Sequence, residues 1–163
     1  MRTRKKLAAF CNIIGIVILA VVIAACVPIA APRFLGYQAY NIMSGSMEPE
    51  IPVGSLVYVK PIAPEDIEPN DVIAFSSNDS VIVHRTVENH IVEGEIVTKG
   101  DANEAEDMAP VAYQSVLGRV ERHIPYLGQL MLILGSGIGK VCMLCLAVCG
   151  ILLNVLGSRL RQE

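Results

Sequence analysis

Hydrophobic positions along this chain follow two kinds of pattern, continuous at the ends and interrupted in the middle. From position 7 to 32 no charged residue occurs, a run longer than the roughly 20 residues a helix needs to cross a bilayer core. A transmembrane signal-anchor helix is predicted over 7–31. A second uncharged run, 141–158, ends against Arg159 and Arg161. It is near the lower limit of about 17 residues for a span. After Arg33 the periodicity becomes strand-like, with short β-rich runs at 55–60, 72–75, 81–87, 95–98 and 116–120 separated by Pro, Gly, Asn and Asp. Such runs predict a small, mostly antiparallel β domain over 32–129. Positions 61–70, with three prolines, read as an extended surface connection, and Glu93-Gly94 as a hairpin turn entered through 90–92. From 124 to 139 the chain is apolar but Gly-rich. Lys140 would cost about 2.5–3.5 kcal/mol at the middle of a span but can snorkel at its boundary. The second helix is therefore placed at 140–158, with 130–139 as an interfacial apolar segment. The predicted fold class is mainly β, a small antiparallel domain flanked by N- and C-terminal transmembrane helices, with short tails at 1–6 and 159–163.

Charge sharpens this picture. Arg2, Arg4, Lys5 and Lys6 precede the first span and Arg159 and Arg161 follow the second, so the positive-inside bias puts both tails in the cytoplasm and the middle domain outside. Between Phe34 and Gln129 there are fifteen acidic and five basic side chains, a net of −10. An acidic domain argues against nucleic acid as a partner, because phosphate binding needs a cationic face. The cysteines, 11, 26, 142, 145 and 149, all lie in the apolar segments, which leaves no disulfide framework in the middle domain. Cys142, Cys145 and Cys149 share a helical face, but in a membrane helix they read as small polarizable packing residues, and no metal site is expected.

Candidate chemistry concentrates after the first span, in Asn41-Ile42-Met43-Ser44-Gly45-Ser46-Met47-Glu48-Pro49. Gly45 would let the backbone bend and Pro49 would fix φ beyond it, presenting a serine hydroxyl from a tight loop. The same composition also makes ordinary turns. A serine nucleophile needs a base, and His84, in Val81-Ile82-Val83-His84-Arg85, is the candidate, although a lone strand histidine is more often structural. A carboxylate would fix the imidazole tautomer. Thr98-Lys99-Gly100-Asp101-Ala102-Asn103, followed by Asp107, offers two, and either could serve. For an oxyanion, the backbone N–H of Ser46 is the first donor, with Ser44 a candidate second.

Ser-Gly-Ser-Met-Glu-Pro resembles the nucleophile motif of the signal peptidase I family, in its endoplasmic-reticulum type. His84 stands in a similar Val-His-Arg context, and 99–103 looks like the family's Lys-Gly-Asp-Xaa-Asn box with a second aspartate six residues on. The resemblance spans roughly 41–107. It implies a membrane-bound serine endopeptidase that uses no cofactor and cleaves signal peptides from exported preproteins after small residues. Ser46 would be the nucleophile and His84 the base; Asp107 is favoured as the direct partner of His84 and Asp101 as a supporting carboxylate. The substrate would lie as an extended strand, with Ile42, Met43, Ile82 and Val83 as candidates for its shallow pockets. Implied partners are preproteins, the lipid bilayer and the secretion translocon, at the cell membrane with the catalytic domain outside the cytoplasm. Eukaryotic members mostly have one N-terminal span, so a second span points to a prokaryotic, two-pass version of archaeal or Gram-positive sporulation type. The alternatives are a catalytically silent two-pass scaffold of a processing complex, or a protease dedicated to one matrix or spore-coat precursor.

Overall fold

A computed structural model describes residues 2–78 and 80–162; positions 1, 79 and 163 lie outside it, and with them the outermost residue of each expected tail. The chain divides into two compact units, one of residues 1–31 with 132–163 and one of residues 32–131.

The first unit is helical. Helix α1 covers Arg2–Phe34, longer at both ends than the predicted 7–31, and it continues through Pro28 and Pro32. A proline inside a helix removes one backbone donor, a loss that membrane helices tolerate through local adjustment. What ends α1 is Gly36, at φ +80: the N–H groups of Gly36 and Tyr37 return to the carbonyls of Arg33 and Pro32, the paired bonds of a Schellman cap. Helices α2, Leu127–Gly135, and α3, Gly137–Gln162, follow. The segment expected at 130–139 is thus helical apart from Ser136, and α3 begins three residues before Lys140. Ser136 sets that start, its Oγ accepting the Gly139 N–H at 3.0 Å, as an N-cap residue does. Stretches Arg4–Pro28 and Gly137–Arg161 are each long and apolar enough to cross a membrane. The helices approach closely where small residues meet: a Cβ on Gly150 would stand 3.1 Å from the Gly15 carbonyl, and one on Gly157 2.8 Å from that of Ala8.

The second unit holds a seven-stranded sheet. Its strands are β1 Gln38–Asn41, β2 Leu56–Lys60, β3 Val72–Ser77, β4 Ser80–His90, β5 Glu95–Lys99, β6 Val111–Ala112 and β7 Val116–Ile124. The spatial order is β1-β2-β7-β3-β4-β5-β6, with every pair antiparallel. The five predicted strands are present. The two they omit, β1 and β6, are short edge strands whose side chains give little alternation. The hairpin differs from expectation: β4 stops at His90, and residues 91–94 form the turn, closed by Gly94 N–H to His90 carbonyl at 2.9 Å with Gly94 at φ +69. Ile91 and Val92 are therefore exposed turn residues, not strand.

β3 explains the core. Its run Val72-Ile73-Ala74-Phe75 is apolar without alternation because both faces are covered. Ala74 and Val72 join Ile42, Met47, Ile51, Val57, Val59 and Val83 on one face, whereas Ile73 and Phe75 join Ile67, Ile96 and Val111 on the other. The first cluster contains two residues of the serine-bearing segment, so the core of this domain also seats that loop.

Candidate active site

Strand β1 delivers the chain into the serine segment, and main-chain bonds hold it there: Ile42 N–H reaches Ser55 O at 2.9 Å and Gly54 N–H reaches Ile42 O at 2.8 Å. The side chains of Met47 and Ile51, each 1% exposed, are buried beneath the loop, so the residue after Ser46 is an apolar anchor that fixes where Ser46 emerges. Ser46 Oγ stands 3.4 Å from Ser44 Oγ. Gly45 does not have the conformational role expected of it: it has no positive φ, and a Cβ there would meet nothing closer than the Glu48 carboxyl at 3.4 Å.

His84 lies on β4 opposite Ile73 of β3, its ring edge-on to Phe75 at a centroid distance of 6.2 Å and its side chain 10% exposed. Nδ1 is 2.6 Å from Asp107 Oδ2. An ionised carboxylate can only accept, so Nδ1 donates, which in a neutral imidazole leaves the lone pair on Nε2. The same Oδ2 accepts a second bond from Thr98 Oγ1, also at 2.6 Å. Asp101 is turned elsewhere. Its two oxygens take a bidentate pair from Arg85 at 2.8 and 2.7 Å, and this hydrogen bonding holds the Arg85 guanidinium above its ordinary pKa. Arg85 also donates to the carbonyl of Asn70 at 2.9 Å. Of the two aspartates singled out in the sequence, the structure puts Asp107 on the imidazole and Asp101 on the neighbouring arginine.

The loop carrying both aspartates joins the parts. Asp107 N–H bonds to Thr98 O at 2.9 Å, and Ala102 N–H to Ser46 O at 2.9 Å. The second contact explains Gly100, whose added Cβ would come within 2.7 Å of Ser46 O. Ser44, Ser46, Ile42, Met43, Ile82 and Val83 all line one groove of about 410 Å³. Ile42 and Val83 are also core residues, 8% and 6% exposed, whereas Met43 is 79% exposed. The groove thus brings Ser44, Ser46 and the four candidate pocket residues onto the strand that bears His84, while His84, Asp101 and Asp107 are not among its lining residues. Lys99 ends β5 opposite Arg85, and His90 pairs with Glu88 at the far end of β4.

No family model matches the chain. Among curated proteins it is 38% identical over 92 residues to signal peptidase I W of Bacillus subtilis, a match covering 52% of this chain and 47% of that protein. It is 30% identical over 107 residues to the signal peptidase complex catalytic subunit SEC11C of Homo sapiens, covering 58% and 56%. The corresponding SEC11 subunit of Ogataea parapolymorpha is 28% identical over 119 residues, covering 60% and 67%. These relatives support the signal peptidase I family for this chain. The chain spans about half the length of the first two. The reading from sequence passed over Met47 as an anchor, Gly100 as a point of close approach, and Thr98 and Arg85 as partners of the two aspartates. The alternation of β5 was the one available signal: Thr98 falls among inward positions, where a hydroxyl needs a partner.

Proposed function

We propose that this protein is a membrane-bound serine endopeptidase that removes signal peptides from exported preproteins. Ser46 attacks the scissile carbonyl while His84 Nε2 takes its proton, giving a tetrahedral oxyanion held by the Ser46 N–H and the Ser44 hydroxyl. His84 then returns the proton to the leaving amine, and water, activated by the same imidazole, releases the acyl-enzyme. Asp107 holds Nδ1–H and stabilises the imidazolium between these steps. The observation that carries the proposal is the Asp107–His84 bond next to a groove that Ser46 lines. The names of the relatives, signal peptidases and catalytic subunits, favour it over a silent scaffold.

The groove suits an extended peptide. β4 pairs with β5 from Arg85 to His90, leaving 80–84 with no strand partner on that side among the described residues. A preprotein can add there as a strand, with side chains entering beside Ile42, Met43, Ile82 and Val83. The acidic domain would face outward from the cell membrane, near the bilayer and translocon that deliver preproteins, and the apolar helices would confine it beside tethered substrates. The SEC11 relatives, named as subunits of a signal peptidase complex, make association with further subunits part of the proposal.

The test uses the full chain in membranes with a preprotein and a serine-directed acylating probe. Cleavage and labelling are expected in the wild type and neither in Ser46→Ala. Persistent labelling at the same peptide in Ser46→Ala would remove the nucleophile, and cleavage of a single precursor from a broad panel would favour a dedicated protease.

A further inference from the structure

The carboxylate that holds His84 is carried on a loop, while the imidazole it must hold is carried on a strand. Asp107 follows β5 by eight residues and lies outside any helix or strand, with its side chain 24% exposed. A loop-borne group is less well placed than one on a regular element, and its geometry depends on what supports it. Among the described residues, the hydrogen-bond support of this loop position comes from one residue. Thr98 is fully buried on β5 and holds Asp107 twice: its carbonyl accepts the Asp107 N–H at 2.9 Å, and its hydroxyl donates to Asp107 Oδ2 at 2.6 Å. The oxygen so held is the one that accepts His84 Nδ1–H.

We propose that Thr98 is a positioning residue of the Ser46/His84/Asp107 set, a clamp that fixes Asp107 in the rotamer able to hold His84 in its Nδ1–H tautomer. The inference rests on the proteolytic reading above and adds to it a residue that reaches the imidazole through the aspartate. Register makes the clamp possible. Thr98 pairs with Thr86 across β4 and β5, and Thr86 is two residues from His84, so by strand alternation all three share a face. The comparison with Thr86 is informative: its hydroxyl, buried in the same layer, has no hydrogen-bond partner among the described residues. Burial on this face does not by itself supply a bond, so the Thr98 bond reflects where Asp107 has been placed. With that hydroxyl removed, Oδ2 keeps a single donor and the carboxylate can rotate toward solvent, freeing Nδ1.

The experiment compares Thr98→Val, Thr98→Ala and Thr98→Ser in the full-length protein, with preprotein cleavage and the ¹⁵N spectrum of His84 as separate readouts. Thr98→Val should lower kcat by about ten- to a hundredfold, the equivalent of one hydrogen bond to a charged group, with KM little changed. Its His84 spectrum should show mixed tautomers. Thr98→Ser, which keeps the hydroxyl, should recover both readouts. In an Asp107→Asn background Thr98→Val should cost almost nothing more, because the two act as a unit. Wild-type kcat in Thr98→Val, failure of serine to rescue, or additive losses with Asp107→Asn would each overturn the clamp. Should valine unfold the domain, alanine against serine poses the same question. If the wild type cleaved no preprotein while Thr98→Val still scrambled the His84 tautomer, the clamp would stand and the proteolytic reading would fall.

Discussion

At the scale of single residues, the site distinguishes groups that look alike in the sequence. Asp101 lies in the 99–103 box and Asp107 six residues beyond Asp101, and sequence left either able to serve His84; the choice depends on which way each side chain turns after Gly100, which only the folded loop decides. Asp107→Asn should slow cleavage by up to about 10⁴-fold, the scale of loss when the carboxylate of a serine triad becomes an amide. Asp101→Asn should act mainly on the Arg85 pair, which is partly exposed, and cost roughly 1 kcal/mol or less of stability. Equal rate losses would mean that both carboxylates serve the imidazole. The glycines separate in the same way. Gly45, conspicuous inside the serine motif, has room for a methyl group, whereas Gly100 lies against the Ser46 carbonyl. Gly45→Ala should therefore leave stability nearly unchanged, and Gly100→Ala should cost about 1–3 kcal/mol by overpacking and lower activity by moving Ser46. Denaturation midpoints and preprotein cleavage measured on both variants would check this.

Among the elements, the long strand β4 performs two tasks along its length. Its first half lines the groove and carries His84; its second half pairs with β5 and ends in the exposed hairpin. Periodicity located this strand because Val81 to Val87 is rich in β-branched residues, but it could not locate β1, whose four residues show no such bias and form a strand only because β2 offers an edge. At the hairpin end, His90 donates to Glu88 at 3.0 Å. This bond, with Glu93 and Glu95 nearby, raises the His90 pKa above its ordinary value. A raised folded-state pKa means that the pair's contribution is fully present below the unfolded-state value and is lost as pH rises through the folded one. NMR titration should show the His90 midpoint falling in Glu88→Gln, and the stability difference between the two proteins vanishing at alkaline pH. An unchanged midpoint would show that the pair does not form in solution.

For the molecule as a whole, the apolar helices and the distribution of charge predict a testable topology. Basic residues flank the outer ends of both helices and the acidic domain lies between them in sequence, so protease added to the non-cytoplasmic side of sealed vesicles should digest the β domain and protease on the cytoplasmic side should not. The reverse pattern would invert the orientation. Local pattern determined two helices apolar enough to cross a membrane, the β character of the middle domain and the residue types able to carry serine chemistry, because each depends on run length, on alternation, or on a hydroxyl, imidazole or carboxylate within a short motif. Which of those groups come together was decided by tertiary structure: Asp107 reaches His84, and Ser46 lines a groove with the first half of the strand that bears that histidine. β1 and β4 are separated in the sheet by β2, β7 and β3, yet both line one groove, because the sheet curls around the core that Met47, Ile42 and Val83 share. Contacts between residues so distant in sequence arise only when burial of that core selects the register and curvature of the whole sheet, and no local pattern encodes either.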